Sequence, residues 1–251
     1  MKFFRKIRYE LMEKNKTGKY LKYAMGEIIL VVTGIVIALN INNWNEDNKT
    51  NKIETIYIKN ILRDLDDQLM SIEGQIEGER EFFTISSEIL NDYYASKILS
   101  LDSTFFDKAT RLTARKTFVI NDPTYTDLIS SGNINVIKNN TQKSKMIKYY
   151  QHLELVEKIM QNNNSNLVDL GFCPTYNELG YIALTAFDEI KSLNQTDKLQ
   201  DLSIKLFTEE KELKMLNVIS GRHAVATIHL SFLENLKDRT LALIKTLELK
   251  D

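Results

Sequence analysis

Apolar residues crowd one stretch of the chain and thereafter recur at intervals of three and four. From Tyr23 to Leu39 the only ionisable residue is Glu27, and the apolar run extends through Leu21 and Ile41. That length meets the roughly 17–25 residues a membrane-spanning helix needs. The pattern predicts a transmembrane helix over residues 21–44. Ahead of it, Phe3, Phe4, Ile7 and Leu11 share one helical face, with Arg5, Lys6 and Arg8 largely off it. Residues 1–20 are therefore expected to form a basic amphipathic segment suited to an anionic inner leaflet. The polar run 15–18 interrupts the pattern before the span.

Beyond the span, residues 46–99 predict one long helix continuing the spanning one. Ile58, Ile61, Leu65, Leu69, Ile72, Ile76, Phe83, Leu90 and Tyr93 follow bundle-like spacing, with gaps at Glu79 and Ser86. Gly74 and Gly78 fit a bend, a close helix crossing or a tolerated surface position equally well. A short helix over 102–112 is capped by Asp102 or Ser103. Residues 117–121 suit an extended segment, and Pro123 opens another short helix that Gly132 closes. Asn140 is the expected cap of a second long helix through Met146, Tyr150, Leu153 and Met160, continuing across a polar run to residue 170. Helices are expected over 174–193 and 197–207. A last long helix over 208–249 would carry Leu216, Ile219, Ala226, Leu233, Leu236, Ile244 and Leu247 inward. The predicted fold class is all-α: one N-terminal transmembrane helix continuing into an extracytoplasmic bundle of three long and several short helices, residues 45–251.

Charge sets the expected orientation. Residues 1–22 carry a net +6 and the remainder −7. Basic residues flanking a span stay on the cytoplasmic side. This places the N-terminus in the cytoplasm of a bacterium, the span in the inner membrane and the C-terminal domain in the periplasm. A cleaved secretory signal is disfavoured, because Asn40-Ile41-Asn42-Asn43-Trp44 offers no small-residue cleavage site. Tyr20, Tyr23 and Trp44 bracket the run as the two aromatic belts would.

Glu27 is the residue in the span that needs a reason, since an ionisable group at that depth is costly. Steps of four and three from it reach Val31, Gly34, Ala38 and Ile41, one helical stripe. Gly34-x-x-x-Ala38 lets two helices approach closely. The stripe is therefore expected to be the seam of a homo-oligomer. Glu27 either fixes packing there or relays a proton or ion.

Chemistry is otherwise sparse. The acidic remainder argues against a nucleic-acid partner. One cysteine, Cys173, precludes an intrachain disulfide and reads as a small buried hydrophobe. Of three histidines, His223 and His229 lie six apart, expected on nearly opposite sides of a helix, unlike a zinc-binding i, i+4 pair. Ser130-Ser131-Gly132 lacks the flanks of a nucleophile elbow, and no phosphate-binding glycine loop occurs. Asp66-Asp67 and Glu209-Glu210 read as solvated faces. No catalytic, cofactor or metal residue is expected. The expected partners are the lipid bilayer, further copies of the chain and a membrane or periplasmic protein. A periplasmic sensor using residues 122–138 is a weaker reading, since the short leader holds no output domain.

Two stretches resemble a known family. Phe3-Phe4-Arg5-Lys6-Ile7-Arg8, Gly26-Glu27-Ile28 and Ile41-Asn42-Asn43-Trp44-Asn45-Glu46, together with residues 126–150, are similar to a family of small single-pass membrane proteins of Bacteroidota, domain of unknown function 6090. The resemblance implies a membrane anchor with an extracytoplasmic helical domain and no assigned activity, and it puts Glu27 inside the family's most recognisable motif.

Overall fold

The computed structural model describes residue 9, residues 17–172 and residues 207–249. Its described residues are all-α, without strands. The first helix, α1, runs unbroken over Thr17–Ser96. It starts within the polar run expected to break it. Two compact units divide the chain, Met1–Tyr57 and Ile58–Asp251.

In the first unit the apolar run is helical and unpacked. From Ile28 to Leu39 its large aliphatic residues are 40–65% exposed, and Trp44 is 69% exposed. Among the described residues this is the one helix long and apolar enough to cross a membrane.

The second unit is built from three long helices. The later part of α1 packs with α4, Asn140–Asn163, and α5, Glu209–Glu248. Cross-links fix their directions. Glu73 meets Lys237 at 2.7 Å and Leu99 N–H meets Glu212 at 3.1 Å, so α5 runs antiparallel to α1. Gln142 donates to Thr246 O at 3.0 Å while Asn163 meets His229 at 3.3 Å, so α4 also runs antiparallel to α5. Along α1 one series of buried positions is Ile61, Leu65, Gln68, Ile72, Gln75, Glu79, Phe82, Ser86 and Ile89, with Asp64, Ile76 and Ile85 buried beside it. The series alternates steps of four and three without a break, the knobs-into-holes spacing of a helical bundle. The expected gaps at Glu79 and Ser86 are in fact buried positions of the seam itself.

Shorter elements close the bundle. Helix α2, Ser103–Leu112, is capped by Asp102, whose carboxylate accepts from Phe105 N–H at 2.8 Å. Its Phe105, Phe106, Ala109 and Leu112 join Phe82, Ile85 and Ile89 of α1 in one apolar cluster with Ile219 and Val225 of α5. A strap without regular structure then crosses α1, and polar α1 side chains bind its backbone. Gln75 donates to Thr117 O at 2.8 Å, Gln68 accepts from Asn121 N–H at 2.6 Å and Asp64 accepts from Thr124 N–H at 3.0 Å. Lys116 donates to Gly74 O at 3.1 Å, and a Cβ on Gly78 would come within 2.8 Å of its stem. These glycines thus seat a lysine rather than a second helix.

Helix α3, Pro123–Ser130, is followed by Gly132 at φ 73°, a left-handed conformation that suits glycine, and a 3-10 turn, Asn133–Val136. The cap of α4 is Asn139 rather than Asn140. Its side chain accepts from Thr141 and Gln142 N–H, and only the residue before the first helical one can aim its side chain at those amides. The polar run after Met160 continues the helix through a π-turn, Asn164–Asp169. The helix expected over 174–193, all of the one expected over 197–207 except Phe207, and Cys173 lie outside the described residues.

Candidate functional site

Two features stand out: the exposed apolar run and a charged centre sealed inside the bundle. On the first, Glu27, Gly34 and Ala38 all lie on α1. At about 100° per residue they fall within one narrow stripe. Glu27 is half-buried, Ala38 is exposed, and nothing lies within 4 Å of a Cβ built on Gly34. Tyr20 and Tyr23 belong to the helical backbone of α1. Arg5, Lys6 and Arg8 lie outside the described residues.

The second feature rests on seam positions. Buried residues of α5 at Ile219, Arg222, Ala226, His229, Leu233, Leu236, Thr240, Leu243 and Leu247 again alternate three and four. Arg222 and His229 occupy two of these positions, and both side chains are fully buried. Glu79 of α1 bridges them: one carboxylate oxygen takes Arg222 Nη1 at 3.3 Å and the other meets His229 Nδ1 at 3.1 Å. Asn163 of α4 presents its amide nitrogen to His229 Nε2 at 3.3 Å. An imidazole carrying its proton on Nδ1 satisfies both contacts, donating to Glu79 and accepting from Asn163. Arg222 also lies 4.0 Å over the Phe82 ring, an attraction strengthened by its burial. Burial pushes the guanidinium below its ordinary range, and the Glu79 carboxylate counteracts that. The three long helices thus converge on one buried polar knot.

Two turns along α1 from Glu79, Ser86 donates to Phe82 O at 2.7 Å, and its oxygen lies 3.1 Å from His223 Nδ1. The His223 ring packs on Phe83 at 4.7 Å. His223 and His229 therefore do not oppose each other. Six residues place them about 120° apart, and both contact α1. No group of three metal-ligating side chains occurs among the described residues.

Sequence reasoning passed over Glu79, Arg222 and Asn163. The available signal was periodicity: all three lie at or beside positions that apolar neighbours mark as inward. The acidic pairs behave as solvated faces, since Asp66, Asp67, Glu209 and Glu210 are exposed.

A family of unknown function, DUF6090, matches residues 27–170, more than half of the chain. The chain belongs to the DUF6090 family. The DUF6090 match begins at Glu27 and takes in Gly34, Ala38, Trp44, Glu79 and Asn163, whereas Arg222 and His229 of α5 lie beyond it. No curated protein and no solved structure matches the chain.

Proposed function

We propose that this chain is a single-pass protein of a bacterial inner membrane, with its N-terminus in the cytoplasm and residues 45–251 in the periplasm, acting as an interaction or scaffold protein rather than an enzyme. The observation that carries the reading is the unpacked state of Ile28–Leu39 on the helix whose later part builds the bundle core. Energetics support it. Ten Ile, Leu and Val residues between 28 and 41 favour insertion by roughly 3–6 kcal/mol, against roughly 3 kcal/mol for one charged side chain. The balance, about 0–3 kcal/mol, leans towards the bilayer.

Self-association runs through the stripe of Glu27, Gly34 and Ala38, and the helical domain engages a membrane or periplasmic partner. Crosslinking through Gly34→Cys and Ala38→Cys in native membranes tests this; only monomer would overturn it. A reporter fused after Asp251 tests the orientation, and activity confined to the cytoplasm would reverse it.

A second reading is favoured by one observation, the carboxyl group inside the apolar run. Glu27 then carries a proton or ion, as in single-span motor or energiser subunits. Glu27→Gln separates the two: loss of function with the oligomer intact supports the carrier, and loss of the oligomer supports packing.

A further inference from the structure

Along α4 the buried series Met146, Tyr149, Leu153, Val156 and Met160 advances by steps of three and four, with Tyr150 buried beside it. Past Met160 the series advances by fours alone, to Asn164, Val168 and Phe172, which are 5%, 1% and 2% exposed. In a continuous α-helix each step of four overshoots a full turn by about 40°. Three such steps would carry Phe172 off the inward face. The π-turn Asn164–Asp169 absorbs the overshoot, because its i→i+5 geometry holds more residues per turn. Arg115 of the strap ties it in place, with Nη1 2.6 Å from Asp169 Oδ2.

The same stretch encodes a second solution. Continuing the earlier alternation from Met160 gives 163, 167 and 170 as inward positions. Leu167 and Leu170 are now 54% and 64% exposed. Meanwhile Asn164 is buried, with its Oδ1 lacking a hydrogen-bond partner, which is unfavourable for a polar atom shut away from water. The present register buries Val168 and Phe172 and keeps the Arg115 ion pair. A continuous α-helix would bury two leucines in place of Val168 and Phe172 and remove the π-turn, leaving Asn164, whose N–H already bonds Met160 O, where it is.

We propose that Asn164–Asp169 is a register switch between this π form and a continuous α-helix, in which the segment following Asn164 turns by about 100° and Leu167 and Leu170 exchange places with Val168 and Phe172. The Arg115–Asp169 ion pair holds the π form. Whatever draws away either charge releases the other register. Two packings of one sequence, each leaving unmet what the other satisfies, form the bistable element that a switch requires.

Cysteine accessibility in the full chain, with Cys173→Ser as background, tests the switch. Leu167→Cys should label fast and Val168→Cys slowly. Adding Arg115→Gln should slow position 167 and speed position 168, a reciprocal, several-fold change. Leu170→Gln, which makes burial of that position in the α form costly, should restore the original contrast on top of Arg115→Gln and slow position 168 further on its own. Reciprocal movement with restoration supports the switch. Both positions moving together, or neither moving in any variant, overturns it.

Discussion

The carboxylate of Asp64 caps a helix that starts 60 residues away in sequence, accepting the Thr124 N–H at 3.0 Å. The local candidate, Asp122, makes no side-chain cap bond to α3. Asp64 is 2% exposed and also takes the Arg63 guanidinium at 2.9 Å. Burial works to raise its pKa, but the hydrogen bonds from Thr124 and Arg63 outweigh that and hold it below the ordinary 3.8. A carboxylate with a depressed folded pKa contributes stability that is present above the unfolded value. That contribution is lost as pH falls through the folded value. Asp64→Asn should therefore lower stability at pH 7 by about 1–2 kcal/mol and flatten the loss of stability below pH 3.8. Urea melts of both forms at neutral and acid pH check this; equal acid slopes would count against it.

The Glu79 knot makes a larger prediction. Glu79→Gln leaves the Arg222 guanidinium buried without its counter-charge, and breaking such a pair costs about 3–5 kcal/mol. Replacing both partners by apolar residues, Glu79→Leu with Arg222→Met, removes the unpaired charge as well as the pair. The double variant should be more stable than either single one. Denaturation followed by circular dichroism gives all three values, and additive losses would show that the two side chains do not act as a unit.

Much of this architecture was legible in the sequence because burial is periodic. Ile61, Leu65 and Ile72 on α1, and Leu216, Ile219, Leu233 and Leu236 on α5, are core positions in both pattern and structure. What stayed illegible follows from reading apolar residues alone. Glu79 and Ser86 interrupt the apolar series, so they looked like breaks. Each has a partner on α5, Arg222 and His223, that no local pattern reveals. The cap of α3 was hidden for the same reason, since Asp64 is local to nothing it caps. The π-turn leaves a trace, the change to steps of four after Met160, but it becomes visible only once the buried residues are known.

Gly74 and Gly78 separate helix propensity from close contact. A Cβ at Gly74 meets nothing within 4 Å. Gly74→Ala should therefore gain the full advantage of alanine within a helix, about 0.5–1 kcal/mol. At Gly78 the new Cβ would lie 2.8 Å from Lys116 Cδ, forcing that side chain off its seat and away from Gly74 O. Gly78→Ala should gain less, or nothing. In a Lys116→Ala background the two gains should become equal. Thermal melts of the four variants decide it; equal gains at both glycines with Lys116 present would mean that Lys116 does not occupy that seat.

Tyr149 offers a probe of the other end of the bundle. Thr240 spends its hydroxyl proton on Leu236 O at 2.8 Å, so its oxygen accepts from the Tyr149 hydroxyl 3.0 Å away. Burial pushes the Tyr149 pKa up to about 12, with the Thr240 bond working the other way. Neighbouring Tyr150, packed edge-on at 5.1 Å and stacked on Tyr125 at 3.9 Å, is pushed up as well, chiefly by burial. A raised folded pKa stabilises the native state fully below the unfolded value near 10 and loses that contribution as pH rises through the folded one. Alkaline unfolding should therefore set in between pH 10 and 12, with Tyr149 ionising only as the bundle opens. Tyr149→Phe, which keeps the ring and loses one buried hydrogen bond, should cost about 1 kcal/mol at neutral pH and reduce the alkaline slope. Phenolate absorbance and circular dichroism recorded in the same titration test this, and a Tyr149 signal that appears near pH 10 with the helices intact would contradict its burial.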